Sequence, residues 1–166
     1  LPVDEPELTV EALFAEDLVL LAHSRHHLST LDTVTLAELA HHPLLLPPCG
    51  TALRRIIDRA CAAADVALTA QAEIDGVRLL TSLAFDGYGA AIVPATAVPR
   101  WLKGEFNRVP VPELPRRVVG WVQRRRPIPG APTRALLTLL REVVAVQGAK
   151  QPGVHVGLDA FPLSRS

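Results

Sequence analysis

The chain has no methionine, only two cysteines and no surplus of either charge, and each shortage excludes something. Lysine plus arginine number 17 and aspartate plus glutamate 17, so this segment carries no electrostatic footprint for nucleic acid or an anionic membrane. No apolar run is long enough to span a bilayer, and no basic-then-apolar leader opens the chain. Cys49 and Cys61 are too few for a disulfide framework, which fits a reducing, cytoplasmic setting. The initiator methionine is missing too, and a chain opening on Leu1-Pro2 reads as a fragment or processed piece. Lysine is confined to Lys103 and Lys150 while Arg, Ala and Leu abound, a pattern that reads as high-GC coding bias rather than function.

What is present is apolar. The 166 residues are 49% hydrophobic with a mean hydropathy of +0.25, far from the composition of disorder. That suffices for a substantial core, in one domain or two small subdomains. The most ordered text is residues 73–99, EIDGVRLLTSLAFDGYGAAIVPATAVP. Asp75 is placed to N-cap a helix whose Val77, Leu80 and Ala84 recur at helical spacing. Gly87 can take the left-handed turn that ends it, and Gly89 allows a tight turn onward. Ala90, Ala91, Ile92 and Val93 then read as a parallel strand covered on both faces, stopped by Pro94.

Upstream, residues 1–17 read as an extended segment with turns, 18–22 as a strand and 23–30 as a polar loop. Thr35 and Glu38 have the spacing of a capping box, opening a short helix that ends before Pro43. Residues 44–46 read as a strand, and 47–51 as a rigid turn ending at an N-cap Thr51. Leu53, Ile56, Ile57, Ala60 and Ala64 follow on one helical face, and residues 67–74 read as a strand. Residues 44–94 thus spell strand, helix, strand, helix, strand, the order of a parallel α/β sheet. Beyond it, residues 106–111 and 118–123 read as strands, Arg124-Arg125-Arg126 and Pro127 to Pro129 as a loop, and Pro132 as the start of a last amphipathic helix. Residues 147–166 have no period and read as a poorly ordered tail. Trp101 and Trp121 read as packing residues.

In such sheets ligands bind beyond the carboxyl ends of the strands. Three ends qualify: Pro48, Cys49, Gly50 and Thr51; Asp75, Gly76 and Val77; and Pro94. At the first, Gly50 permits close backbone approach, and the N–H groups after Thr51 with its hydroxyl offer a seat for a metabolite carboxylate. Thr51 can equally be a plain N-cap and Gly50 a plain turn residue. Cys49, before a helix start, is either an activated thiol or a packing thiol, and no base in the sequence pairs with it for catalysis. The adjacent pairs His26-His27 and His41-His42 lack metal-binding helical spacing and read as loop and helix-end residues. No cofactor and no metal ligand is read from the chain, and the three arginines read as a solvated face.

The order of motifs resembles the effector-binding domain of LysR-type bacterial transcription regulators. Leu13-Phe14 with Glu16-Asp17-Leu18-Val19-Leu20-Leu21 is similar to the family's "L-F-x-E-x-L-V-L-V" strand. His27-Leu28 stands where the family has His-Pro-Leu, without the proline. Thr35-Leu36-Ala37-Glu38-Leu39 resembles the "T-L-x-x-L" helix, and Thr51-Ala52-Leu53-Arg54 the "S/T-x-x-R" helix start. The Gly87/Gly89 turn, apolar strand and Pro94 complete the series, over residues 8–146. Cys61 resembles in position one sensor cysteine of peroxide-sensing members, whose partner cysteine is closer than Cys49 is here.

The resemblance implies an α/β fold of two Rossmann-like subdomains of the type 2 periplasmic-binding-protein architecture, with a small-molecule effector held between them. Residues 23–100 would be the second subdomain, and 1–22 with 101–146 the latter part of an incomplete first one. It further implies a non-enzymatic, allosteric role, contact with DNA only through a helix-turn-helix domain missing from this chain, no membrane partner, and homodimers or tetramers paired near residues 53–64. The alternative is a two-lobed solute-binding protein of a transporter.

Overall fold

In a computed structural model, described for residues 5–98, 104–126, 128 and 130–157, the chain divides into two units. One is Asp17–Pro115; the other joins Leu1–Glu16 to Arg116–Ser166.

Alternation of apolar side chains organises the larger unit. Its elements are β2 (Leu18–His23), a 3-10 turn (His27–Thr30), α1 (Leu36–Leu39), β3 (Pro43–Leu46), α2 (Ala52–Ala63), β4 (Thr69–Glu73), α3 (Val77–Phe85), β5 (Ala90–Pro94), a 3-10 turn (Ala95–Ala97) and β6 (Phe106–Pro110). They form a five-stranded sheet of order β4-β3-β5-β2-β6. Every residue of β2 and β5 is buried, because both faces are covered. Leu18, Leu20, Leu44, Leu46 and Ile92 point to one face, where α2 packs Leu53, Ile57 and Cys61. Val19, Leu21, Leu45, Ala91 and Val93 point to the other, against Leu80 and Ala84 of α3. With about 0.8 kcal/mol per buried methylene, these two layers are the main stabilising mass of the unit.

β3 runs parallel to both β4 and β5, as the strand–helix–strand order predicts. β5 is antiparallel to β2, and β2 to β6, so the sheet is mixed. β2 and β6, which the sequence reading placed with residues 1–22 and 101–146, therefore hydrogen-bond inside the unit Asp17–Pro115. Capping chemistry sets the helix starts. Thr35 and Glu38 make the reciprocal capping box, and the Thr51 hydroxyl accepts from the Arg54 N–H. Asp75 does not cap α3; the N-cap is Gly76 at φ +89°, with no side-chain bond. Gly87 has φ +81°, the left-handed turn expected after the helix.

The smaller unit holds β1 (Leu8–Glu16), β7 (Arg117–Arg124), α4 (Ala131–Val143), a π-helical turn (Val144–Gly148) and β8 (Val154–His155). Its antiparallel sheet has the order β7-β1-β8, with a bulge in β1 between Ala12 and Phe14. Glu16 is fully buried and accepts from the guanidinium of Arg117, while Arg141 of α4 pairs with Glu11. Regular structure reaches His155, past the point where the sequence predicts only a poorly ordered tail. A two-residue strand is too short to show a period, so nothing in the text marks it. Trp121 is half-buried and donates through Nε1 to Gln123. Trp101, Pro127, Pro129 and residues 158–166 lie outside the described residues.

Candidate functional site

Because β4, β3 and β5 are adjacent and parallel, their carboxyl ends share one edge of the sheet. Leu46 pairs with Glu73 in register, and the Ile74 N–H donates to the Leu46 carbonyl at 2.9 Å. The chain leaves β3 through Pro47, which is buried, and Pro48, which is half-buried. Cys49 and Gly50 are exposed at the tip, and Gly50 has φ +82°. A Cβ at Gly50 would meet nothing within 4 Å, so the backbone conformation, not crowding, favours glycine there. Thr51 closes the turn: its hydroxyl donates to the Pro48 carbonyl at 2.9 Å and accepts from Arg54. Both functions of that hydroxyl are thus used within the turn.

Next to this turn lies a carboxylate to which the sequence assigns no role beyond a strand end. Glu73 accepts from the Cys49 N–H at 3.3 Å and from the Cys49 thiol at 3.1 Å. The Arg54 guanidinium donates to the same carboxylate at 3.0 Å and to the Pro47 carbonyl at 3.0 Å, and its Nε donates to Asp58 at 2.8 Å. Arg54 is therefore well anchored, its side chain only 12% exposed. The hydrogen bond to Glu73 pushes the Cys49 thiol above its ordinary pKa, with desolvation adding to it. Hydrogen bonds from the Cys49 thiol and backbone, helped by Arg54, hold the Glu73 carboxyl below the usual carboxylate range. A protonated thiol is a poor nucleophile, so this arrangement opposes the activated-thiol reading of Cys49. Cys61 is buried among the packing residues of α2, and burial raises its pKa too.

The second strand end leads into Asp75 and Gly76, both exposed, and then into α3. Val77, Arg78, Thr81, Ser82 and Phe85 of α3 border, with Thr96 and Ala97, a groove of about 550 Å³. Pro94 ends the third strand; it is buried, as is Ala95, and Thr96 is exposed beside it. The structure thus places all eight sequence-selected residues along one edge, with Cys49 and Thr51 in the Glu73–Arg54 network and Val77 in the groove. Arg54 is visible in the sequence only through its helix-start motif. Glu73 could be found from register, since neighbouring parallel strands put their end residues side by side.

The edge thus carries donors around one carboxylate, two positive-φ glycines and an open groove. The family model of the LysR substrate binding domain matches residues 1–145. In structure the chain is similar to the regulatory domain of CcmR from Synechocystis PCC6803 in complex with 2-PG, at a TM-score of 0.74 and 17% identity. That match covers 86% of this chain and 70% of the other. It is also similar to the effector-binding domain of QuiR in complex with shikimate, at a TM-score of 0.69 and 16% identity, over 86% of this chain and 68% of that one. A Corynebacterium glutamicum OxyR C206 mutant aligns at a TM-score of 0.68 and 21% identity over 90% of this chain, which spans only 49% of that longer protein. No curated protein matches the chain in sequence. At these identities the neighbours establish the fold, a mixed α/β architecture of the type 2 periplasmic-binding-protein kind. The family match covers most of the chain and favours a regulator's domain over a transporter's solute-binding protein. By that match and that fold, the chain belongs to the LysR substrate-binding-domain family.

Proposed function

We propose that this chain is the effector-receiving region of a LysR-type transcription regulator, and that its effector is a small metabolite carrying a carboxylate. The observation that supports this reading is the carboxylate already seated at the β3–α2 turn, where the Cys49 N–H and Arg54 hold Glu73. An effector carboxylate competes for that place, flanked by Pro48, Gly50 and Thr51, with Asp75, Gly76 and Val77 on one side and Pro94 on the other. Shikimate, a carboxylate, and 2-PG are the ligands named for two structural neighbours. The role is recognition without catalysis. Binding shifts the equilibrium between regulator conformations, and a helix-turn-helix domain outside this chain passes the change to DNA in the cytoplasm. The working unit is a homodimer or tetramer.

The test is a thermal-shift screen of small carboxylates against the full-length regulator. A hit raises the melting temperature by an amount that grows with the logarithm of one plus the ratio of free ligand to Kd. Thr51→Ala disturbs the turn that orients Arg54 and the Cys49 N–H, so the shift given by the best hit shrinks. An undiminished shift in Thr51→Ala removes the proposed seat.

A further inference from the structure

Five of the six histidines, His23, His26, His27, His41 and His42, lie at the edge of the larger unit's sheet where β3 and β5 begin, opposite the effector edge. Four of them make hydrogen bonds in which a ring nitrogen accepts. His26 stands at the N-cap of the 3-10 turn His27–Thr30, where its Nδ1 accepts from the Leu28 N–H at 3.3 Å. His27, in that turn, and His42, just before β3, share a hydrogen bond between their Nε2 atoms at 3.1 Å, one ring donating and the other accepting. His23 Nδ1 accepts from the Arg25 N–H at 3.1 Å. An imidazole accepts only through a nitrogen without a proton, so each of these bonds depends on the protonation of its ring. The His26 and His27 rings also stack, with centroids 4.7 Å apart, so charge on both is held face to face.

We infer that His26, His27 and His42 form an acid-released latch, which holds the turn His27–Thr30 to the start of β3 at neutral pH and frees it when the three rings take up protons. The two joints respond differently. His26 loses its accepting nitrogen with its first proton. The His27–His42 bond survives one proton, because an imidazolium still donates to a neutral ring. The second proton leaves both Nε2 atoms as donors, and the bond breaks.

The surroundings disfavour charge on the latch. Desolvation, then His27 and His42, hold His26 below the ordinary histidine range; desolvation, then His27 and His41, do the same for His42. Glu38 of α1 is turned back to the N–H and hydroxyl of Thr35. From β6 the turn meets the uncharged Asn107, which donates to the Ser29 carbonyl at 2.9 Å. The Ser29 hydroxyl donates to the Ser24 carbonyl at 3.0 Å. Neither bond titrates, so the turn loosens without leaving the sheet. His23 is not part of the latch: Glu105 lies 3.6 Å from its Nε2, so a protonated His23 gains one partner as it loses Arg25. Because folding lowers the His26 and His42 values, the unfolded chain binds more protons between the folded and ordinary values. The stabilisation is complete above the ordinary value of about 6.5 and is lost as pH falls through the folded one. Leu28, buried in the same core layer as Leu44 of β3, is the side chain whose cover is then weakened.

The deciding experiment is hydrogen–deuterium exchange of the full-length regulator at about one pH unit above and below the ordinary histidine value, corrected for the pH dependence of intrinsic exchange. The expected result is a loss of protection of about fivefold or more in residues 26–31 on the acid side, with β2 and β5 unchanged. His26→Asn keeps a capping acceptor that does not titrate, and His42→Gln replaces the second ring by an uncharged amide. In the His26→Asn/His42→Gln double variant the protection of residues 26–31 should therefore be the same at both pH values. Far-ultraviolet circular dichroism checks that the variant is folded. Equal protection of the parent at both pH values overturns the latch. So does an acid loss shared equally by β2 and β5, which is global unfolding. An acid loss as large in the double variant as in the parent also overturns it, and places the titrating group elsewhere, such as His23.

Discussion

Glu73 shows how far a single residue can be read from sequence. The text marks Thr51, Gly50 and Cys49 because turn and cap chemistry have local signatures. Glu73 has none: its role comes from the pairing of β4 with β3, which brings its carboxylate to the Cys49 turn and Arg54. Asp75 illustrates the opposite error. It is a good capping residue type, but Gly76, with its positive φ, takes the cap position one residue later. Replacing Glu73 by Gln removes the carboxylate whose hydrogen bond and charge raise the Cys49 thiol pKa. The thiol pKa should fall, and alkylation of Cys49 at mildly alkaline pH should become faster than in the parent chain. The same substitution alters acid stability. Because folding lowers the Glu73 pKa, its contribution is present above the unfolded value and is lost as pH falls through the folded one. In Glu73→Gln that acid loss should shrink, as read by denaturant midpoints from neutral pH downward.

Elements were legible where their period met a buried environment. The continuous apolar text of residues 18–22 and 90–93 gives β2 and β5, the two strands buried along their whole length. β8 was invisible because two residues carry no period. In α4 the period shows which residues share a face, not what covers them: Leu137 is 9% exposed, whereas Leu136, Leu139 and Val143 are 52%, 56% and 48% exposed. Leu137→Ala should therefore cost about 2 kcal/mol or more in denaturant unfolding, and Leu139→Ala only about 0.5 kcal/mol or less. The Glu16–Arg117 pair ties β1 to β7 at a fully buried carboxylate. Arg117→Ala leaves that charge without its guanidinium and should cost about 3 kcal/mol; an effect under about 1 kcal/mol would mean that other donors carry Glu16.

At the scale of the whole molecule, motif order did what composition could not. Balanced charge and high hydropathy bound only a folded chain with a core, whereas the succession from Leu13-Phe14 to Pro94 pointed to the family that the match over residues 1–145 establishes. The division into units followed pairing that the text does not show. β2 and β6 join the sheet of Asp17–Pro115 by pairing, β2 with β5 and β6 with β2, and the side chains of β2 alternate between the two core layers, although both strands lie at the ends of that segment. The proposed effector edge follows from that sheet, since three parallel strands end together on it. Hydrogen–deuterium exchange of the full-length regulator, with and without a saturating carboxylate hit, tests this placement most directly. The account predicts slowed exchange in residues 47–54 and 73–78, with the rest of the sheet little changed. Protection confined to other segments, with none in those two, would contradict it.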